Sequence, residues 1–104
     1  MFTEHVAALA HRHGWLVAHF APARVTREGR QTYETAARFD GRGFPDLVLA
    51  RADTVVLAEL KARRGVLRPD QQRWVRAAGA RVWRPADWQL IVTTLEGGEP
   101  CPRP

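Results

Sequence analysis

The chain has 104 residues, 45% of them hydrophobic, and 16 basic against 11 acidic side chains give a formal net charge of +5. This length predicts one domain with a small core. One cysteine, Cys101, excludes a disulfide framework, and no apolar run approaches the ~20 residues of a membrane span. We therefore expect a soluble, cytoplasmic protein. The positive charge favours an anionic partner, most simply nucleic acid, although a basic surface without such a partner is the alternative.

The first half of the chain predicts a helix, a strand and a long loop. Residues 3–13 show helical periodicity, with Thr3 as the expected N-cap. Residues 15–20 alternate as a strand does. Residues 21–43 show no sustained period, so we expect a loop there, with room for a short strand around 31–39.

The second half predicts a hairpin followed by alternating helices and strands. Two β-rich runs, 44–51 and 54–62, are joined by Ala52-Asp53. The other predicted elements are a helix from Pro69 to Ala78 closed by Gly79, a strand at 80–84, a helix at 85–95 and a tail at 96–104. This order predicts an α/β fold, a single domain over 1–95 with one small mixed β-sheet flanked by helices. Trp83 and Trp88 are expected in the core.

Charged residues at the end of the second hairpin strand are the main functional signal. Alternation places Glu59 and Lys61 on one face, ~6.5 Å apart along the strand. Asp46, just after Pro45, is their expected partner across the hairpin. Taken singly, Asp46 is typical of a turn cap, and Glu59 with Lys61 of an ion pair on an exposed strand face. Burying all three costs free energy unless they are paired or functional, so together they favour a metal site.

Such a site has a definite chemistry. Carboxylates on adjacent strands can hold a hard cation such as Mg²⁺, with water and a substrate phosphate completing its coordination. The cation lowers the pKa of a bound water and offsets negative charge in the transition state. Lys61 can position or deprotonate that water, whereas the pKa of an arginine is too high for proton transfer. Lys61 is also the only lysine, because the other 15 basic residues are arginines.

Gln71 is the candidate that the next helix supplies. Helical periodicity places it on the inward face with Trp74, Val75 and Ala78. A buried primary amide needs hydrogen-bond partners. Periodicity leaves two alternatives open, a bond to the core backbone or a position in the site.

Pro45-Asp46 followed by Glu59-Leu60-Lys61 resembles the motif of the PD-(D/E)XK nuclease superfamily. The wider sequence, GRGFPDLVLAR, VVLAELKARRGVLRPDQQRW and GARVWRPADW, is similar to the VRR-NUC family in its stand-alone phage or prophage form. The resemblance covers nearly the whole chain. It implies a restriction-endonuclease-like core and hydrolysis of DNA phosphodiester bonds with Mg²⁺ or Mn²⁺. It also implies branched or four-way-junction DNA as a substrate, as for a Holliday junction resolvase.

Matched position by position, the resemblance also implies roles for individual residues. Glu4 matches an acidic residue of the first helix, although a first-turn glutamate is also favoured by the helix dipole alone. The family pattern has a serine where this chain has Arg68, and the stretch 74–83 is shorter than in the family. The implied roles are metal binding by Asp46, Glu59 and the main-chain carbonyl of Leu60, catalysis by Lys61, and further site roles for Gln71 and Glu4.

Basic residues near these positions are candidate DNA contacts. Arg63, Arg64 and Arg68 follow the strand of Lys61 directly and suit phosphate binding. A solvated basic rim is the alternative. Arg42 and His19 are further candidates, and for His19 a structural role is the alternative.

The expected partners are DNA and a second copy of the chain. Cutting a two-fold symmetric junction at paired positions requires two sites, so a homodimer is expected if the substrate is a junction. We expect no membrane and no small-molecule organic cofactor. The alternative function is a non-catalytic nucleic-acid-binding module, or a degenerate nuclease acting as an assembly factor, which would bind DNA without metal-dependent cleavage.

Overall fold

The computed structural model describes residues 1–20, 23–34 and 39–97, with the backbone alone for 23–27 and 31–34. In these ranges the helices are α1 (Phe2–Arg12), α2 (Pro69–Ala78) and α3 (Trp88–Leu95), with a 3₁₀ turn, Pro85–Asp87, leading into α3. The strands are β1 (Leu16–His19), β2 (Ala23–Arg27), β3 (Arg30–Glu34), β4 (Leu47–Arg51), β5 (Thr54–Leu60) and β6 (Arg81–Trp83). None of the described helices is long and apolar enough to cross a membrane.

A mixed four-stranded sheet in the order β1-β4-β5-β6 forms the centre of the molecule. The pairs β1–β4 and β4–β5 are antiparallel, and β5–β6 is parallel. The predicted hairpin is confirmed: Ala52 and Asp53 have φ of 48° and 65°, the left-handed values that a tight two-residue connection requires. The fold is therefore mixed α/β with one small mixed sheet and helices, as predicted.

The prediction of a loop over 21–43 is wrong for most of its first half. β2 and β3 form a separate antiparallel hairpin, with Ala23 opposite Glu34. Their sequences, ARVTR and RQTYE, contain few apolar residues, so no buried face produced a recognisable period. The expected strand near 31–39 overlaps β3, and its residues 35–38 lie outside the described part of the chain.

One face of the sheet carries the core, and α1 and α3 pack against it. Trp83 is 1% exposed and belongs to this core, as predicted, but Trp88 is 36% exposed and the prediction for it is wrong. α3 instead buries Ile91 and Leu95, one helical turn apart. The other main core residues are Val6, Leu9, Ala10, Trp15, Leu47, Leu49, Val56 and Ala58.

Two helix details also differ from expectation. α1 begins at Phe2 with Met1 as its N-cap, not at Thr3, because the His5 amide already donates to the Met1 carbonyl (3.0 Å). α2 has the predicted bounds and ends on Gly79 at φ 67°. Ala78, expected on the inward face of α2, is exposed. Thus end residues are less well predicted than helix interiors.

Arg51 ties the ends of α1 and α3 to the sheet. Its Nη1 donates to the carbonyls of His13 (2.9 Å) and Leu95 (3.1 Å). Its guanidinium lies 4.5 Å from the ring centroid of Trp15, whose Nε1 donates to the same Leu95 carbonyl (2.9 Å). Helix carbonyls without partners inside their own helix are thereby satisfied. Arg51 therefore has a structural role in the fold.

Candidate active site

Asp46 follows the buried Pro45 and immediately precedes β4, at one end of the sheet. The Phe20 amide donates to the Asp46 carbonyl (2.8 Å), and the Leu60 amide donates to Asp46 Oδ2 (2.8 Å). The side chain therefore accepts from the neighbouring strand β5, which a local turn cap would not do. This bond fixes the carboxylate between β4 and the end of β5.

Glu59 alternates with the core residues Ala58 and Leu60 and so lies on the other face of the sheet. Its side chain is 3% exposed, and that of Lys61 is 15% exposed. Lys61 Nζ lies 3.6 Å from Glu59 Oε2. The alternative of an ion pair on an exposed strand face is therefore wrong.

Burial raises the pKa of Glu59 from its ordinary value of 4.5 to about 7. The negative charge of Asp46 acts in the same direction, while Lys61 partly opposes both effects. Near neutral pH this carboxyl group is therefore close to its protonation midpoint. A buried carboxylate lacks the water that would stabilise its negative charge. A cation held between Asp46 and Glu59 would balance that charge and displace the proton.

Gln71 joins α2 to this pair. Its Nε2 donates to Glu59 Oε2 (3.0 Å), and its Oε1 accepts from the amide of Arg68 (2.9 Å) at the start of α2. Gln71 is 7% exposed. The sequence left open whether the side-chain amide of Gln71 bonds the core backbone or lies in the site. In the structure this amide lies at the candidate site. The second bond also caps the start of α2.

In the described part of the chain, no third carboxylate joins Asp46 and Glu59. Within the described ranges, no group of three or more His, Cys, Asp or Glu side chains is placed to hold a metal ion. Glu4 is exposed in the first turn of α1, so the structure does not bring it into such a group with Asp46 and Glu59. Oxygen donors from two carboxylates and the Leu60 carbonyl still fit Mg²⁺, because Mg²⁺ usually keeps several waters and few protein ligands.

Arg84 is a residue that the sequence analysis missed. Its Nη1 donates to the carbonyls of Ala62 (2.9 Å) and Gly65 (2.7 Å), closing the turn that carries Arg63 and Arg64. Both of those arginines are exposed. Arg84 therefore positions the two candidate phosphate contacts beside Lys61. No sequence signal distinguishes it from the other arginines, because the contact spans about twenty residues.

Arg68, Arg42 and His19 are placed differently. Arg68 Nε and Arg42 Nε lie 3.3 Å and 3.4 Å from the two carboxylate oxygens of Asp70, at the start of α2. His19 is exposed and pairs with Leu47, whose side chain is in the core, whereas Phe20 lies opposite Asp46. The register thus puts His19 on the other face of the sheet from the two carboxylates.

Gly43 allows the loop before Asp46 to touch α2. A Cβ at this position would lie 2.6 Å from the main-chain carbon of Asp70, and Gly43 has φ of 86°. We expect Gly43→Ala to lower the free energy of unfolding by about 2 kcal/mol or more and to push the loop that carries Asp46 away from α2. Urea unfolding measures the first effect.

Gly79→Ala is the matched control for this substitution. Gly79 has φ of 67°, but a Cβ there would meet no atom within 4 Å. It should therefore show only the cost of the left-handed conformation, ~1 kcal/mol. Equal losses of stability in the two variants would contradict the proposed collision.

Comparison of the chain with protein-family models, with curated proteins and with solved structures gave no match. The class that fold and site define together is a mixed α/β domain with an Asp-Glu-Lys-Gln cluster at one end of its sheet, in which the glutamate and the glutamine are buried. The cluster consists of Asp46, Glu59, Lys61 and Gln71.

Proposed function

We propose that the protein is a divalent-metal-dependent DNA endonuclease with a restriction-endonuclease-like core. In this proposal it belongs to the VRR-NUC family of the PD-(D/E)XK superfamily. The observation that carries the proposal is the convergence of Asp46, Glu59, Lys61 and Gln71 at one end of the sheet. A carboxyl group as buried as Glu59 raises the free energy of the fold when charged, unless a cation balances it. Groups with strongly shifted pKa values cluster at functional sites more often than elsewhere.

Each residue of the cluster has a distinct part in the proposed reaction. Mg²⁺ or Mn²⁺, when bound by Asp46, Glu59 and the Leu60 carbonyl, would supply an acidified water and offset charge on the phosphate. Lys61, 3.6 Å from Glu59, orients the attacking water and takes its proton, and the ammonium group so formed balances the negative charge that develops. Gln71 holds Glu59 Oε2 in place through a 3.0 Å bond. The leaving 3′ or 5′ oxygen takes its proton from solvent.

Exposed arginines beside the cluster support DNA as the substrate. Arg63 and Arg64 lie in the turn immediately after Lys61, and Arg68 follows at the start of α2. Guanidinium groups bind phosphates strongly because they donate two hydrogen bonds in one plane. In this proposal the three arginines hold the DNA backbone on either side of the bond that is cut.

A cleavage panel tests the proposal. Linear duplex, flap and four-way-junction DNA are incubated with the protein in Mg²⁺, Mn²⁺ or EDTA, and Asp46→Asn is assayed beside the wild type. We expect metal-dependent cleavage, fastest on branched DNA, that Asp46→Asn abolishes. Salt-sensitive binding without any cleavage would instead support the alternative, a non-catalytic nucleic-acid-binding module.

We also propose that the active form is a homodimer, as two cuts in a junction require. The sheet face that carries Asp46 and Glu59 also carries three apolar residues farther from the cluster. They lie side by side on neighbouring strands: Leu16, Ala50 and Val55. Leu16 is 75% and Val55 63% exposed. Exposed apolar rows of this kind mark interaction surfaces, and a row on the site-bearing face would bring two sites to one junction.

Sedimentation of Leu16→Glu measures this association. We expect the wild type to be a dimer at micromolar concentration and the variant a monomer that still binds the metal. Leu90→Glu is the control, because Leu90 is similarly exposed (53%) but lies on α3. A monomeric wild type on junction DNA would contradict the proposal.

A further inference from the structure

A cavity of about 400 Å³ lies between one side of α2 and the loop that precedes Phe44. Positions 70, 73, 74 and 77 of α2 form one stripe along the helix and make one wall, and the loop at 39–42 makes the other. We call this cavity the α2 pocket. Its volume lies in the range of small-ligand sites. The residues that the argument uses are Phe39, Arg42, Asp70, Arg73, Trp74 and Ala77.

Trp74 is held in a fixed orientation at the pocket wall. Its Nε1 donates to the Asp40 carbonyl (2.8 Å), and its ring packs edge-to-face on Phe44, with centroids 4.9 Å apart. Phe44 packs in the same way on Phe20 (5.6 Å), whose amide bonds Asp46. A chain of aromatic contacts thus connects the pocket with the candidate active site.

Phe39 is unusual for an aromatic residue in two respects. It is 101% exposed, and its φ of 55° lies in the left-handed region. Both features raise the free energy of the free protein, because the ring is fully hydrated and the Cβ is crowded by the backbone. Strained conformations of this kind are concentrated at binding sites. An exposed ring that lines the same cavity as Trp74 offers a platform on which a flat ligand can stack.

The pocket is lined by two arginines and two aspartates, so its formal charge is balanced, and the arginines are the groups to which an anionic part of a ligand can bind. Arg42, 86% exposed, and Arg73, also exposed, both line it. Asp70 holds the Arg42 guanidinium at 3.4 Å and so limits the positions that it can take. Aromatic rings beside guanidinium groups are the combination that binds unpaired nucleotides, with the base on the rings and the phosphate on the arginines.

We propose that the α2 pocket binds one unpaired nucleotide of the DNA, with its base stacked on Phe39 and Trp74 and its phosphate held by Arg42 and Arg73. The inference rests on the proposed function and specifies its substrate as DNA with an unpaired nucleotide near the cut. Because Gln71 and Trp74 lie on the same helix, a nucleotide in the pocket would have a fixed distance from Glu59. The pocket would therefore set where the cut falls.

Binding in EDTA tests this proposal without any cleavage. Fluorescence anisotropy compares a fully paired duplex with the same duplex carrying a short unpaired flap. We expect Phe39→Ala to weaken flap binding about 10- to 100-fold, the range found for removing a stacking ring, and to leave duplex binding unchanged. Arg42→Ala should reduce the salt dependence of flap binding by about 0.7 in the log–log slope.

Two controls separate binding from folding. Leu90→Ala removes another exposed apolar side chain, on α3 (53% exposed), and should change neither affinity. Phe39→Gly should raise the midpoint of urea unfolding, because glycine relieves the positive φ, and yet weaken flap binding as Phe39→Ala does.

Three outcomes are decisive. Equal affinities of wild type and Phe39→Ala for the flap would overturn the inference, even if metal-dependent cleavage were found. A loss of stability in Phe39→Ala would overturn it as well, by showing that the chain itself fills the pocket. Flap binding that needs Phe39, in a protein that never cuts DNA, would support the pocket and refute the proposed nuclease.

Discussion

Replacing Lys61 by alanine is expected to reduce the rate of metal-dependent DNA cleavage about 100- to 10,000-fold, the usual contribution of a positioned acid–base group. The rate to measure is that of a single turnover at saturating protein and metal. Lys61 also lowers the pKa of Glu59, so its loss raises that pKa further and weakens metal binding near neutral pH. The assay should therefore be repeated at pH 9, where the lost metal affinity is restored and the lost chemistry is not.

Lys61→Arg separates the charge of the side chain from its identity. Arginine keeps the positive charge beside Glu59 but cannot lose its proton, so we expect stability and DNA affinity near wild type and a rate close to that of Lys61→Ala. Arg76→Ala is the control on the outer side of α2, where the side chain is exposed. A Lys61→Ala variant that cuts within about tenfold of the wild-type rate would contradict this assignment.

Glu59→Gln is expected to remove the pH dependence of stability that the buried carboxyl group causes. The folded pKa of about 7 lies above the ordinary 4.5, so the fold binds this proton more tightly than the unfolded chain does. The stability that the proton contributes is complete below pH 4.5 and is lost as the pH rises through 7. By pH 8 the wild type should therefore have lost a few kcal/mol that Glu59→Gln retains.

Urea unfolding of the wild type and Glu59→Gln at pH 5 and pH 8 measures this difference directly. Mn²⁺ should stabilise the wild type at pH 8 and should have little effect on Glu59→Gln, because only the charged carboxylate binds the ion strongly. Glu96→Gln changes an exposed glutamate and is the control. A stability difference between wild type and Glu59→Gln that does not change with pH would show that Glu59 is charged throughout.

Contacts distant in sequence explain why part of the site was predictable and part was not. Asp46 and Glu59 were matched through the hairpin, whose register follows from a two-residue turn. The contacts of Arg84 and the shape of the α2 pocket depend on how a turn or loop packs against a distant element. No local sequence pattern predicts that packing. For His19 the sequence predicts the strand but not its alignment with β4, and that alignment decides which face of the sheet the residue occupies.

The sequence by itself determined the local structure around the site: the β4–β5 hairpin, the start and end of α2, and the shared strand face of Glu59 and Lys61. These follow from alternation, turn residues and helix caps, which act over a few residues. Only the tertiary structure decided that α2 lies over that face, where Gln71 bonds Glu59 across twelve positions. That packing also excludes water from Glu59, and the exclusion of water is what raises its pKa.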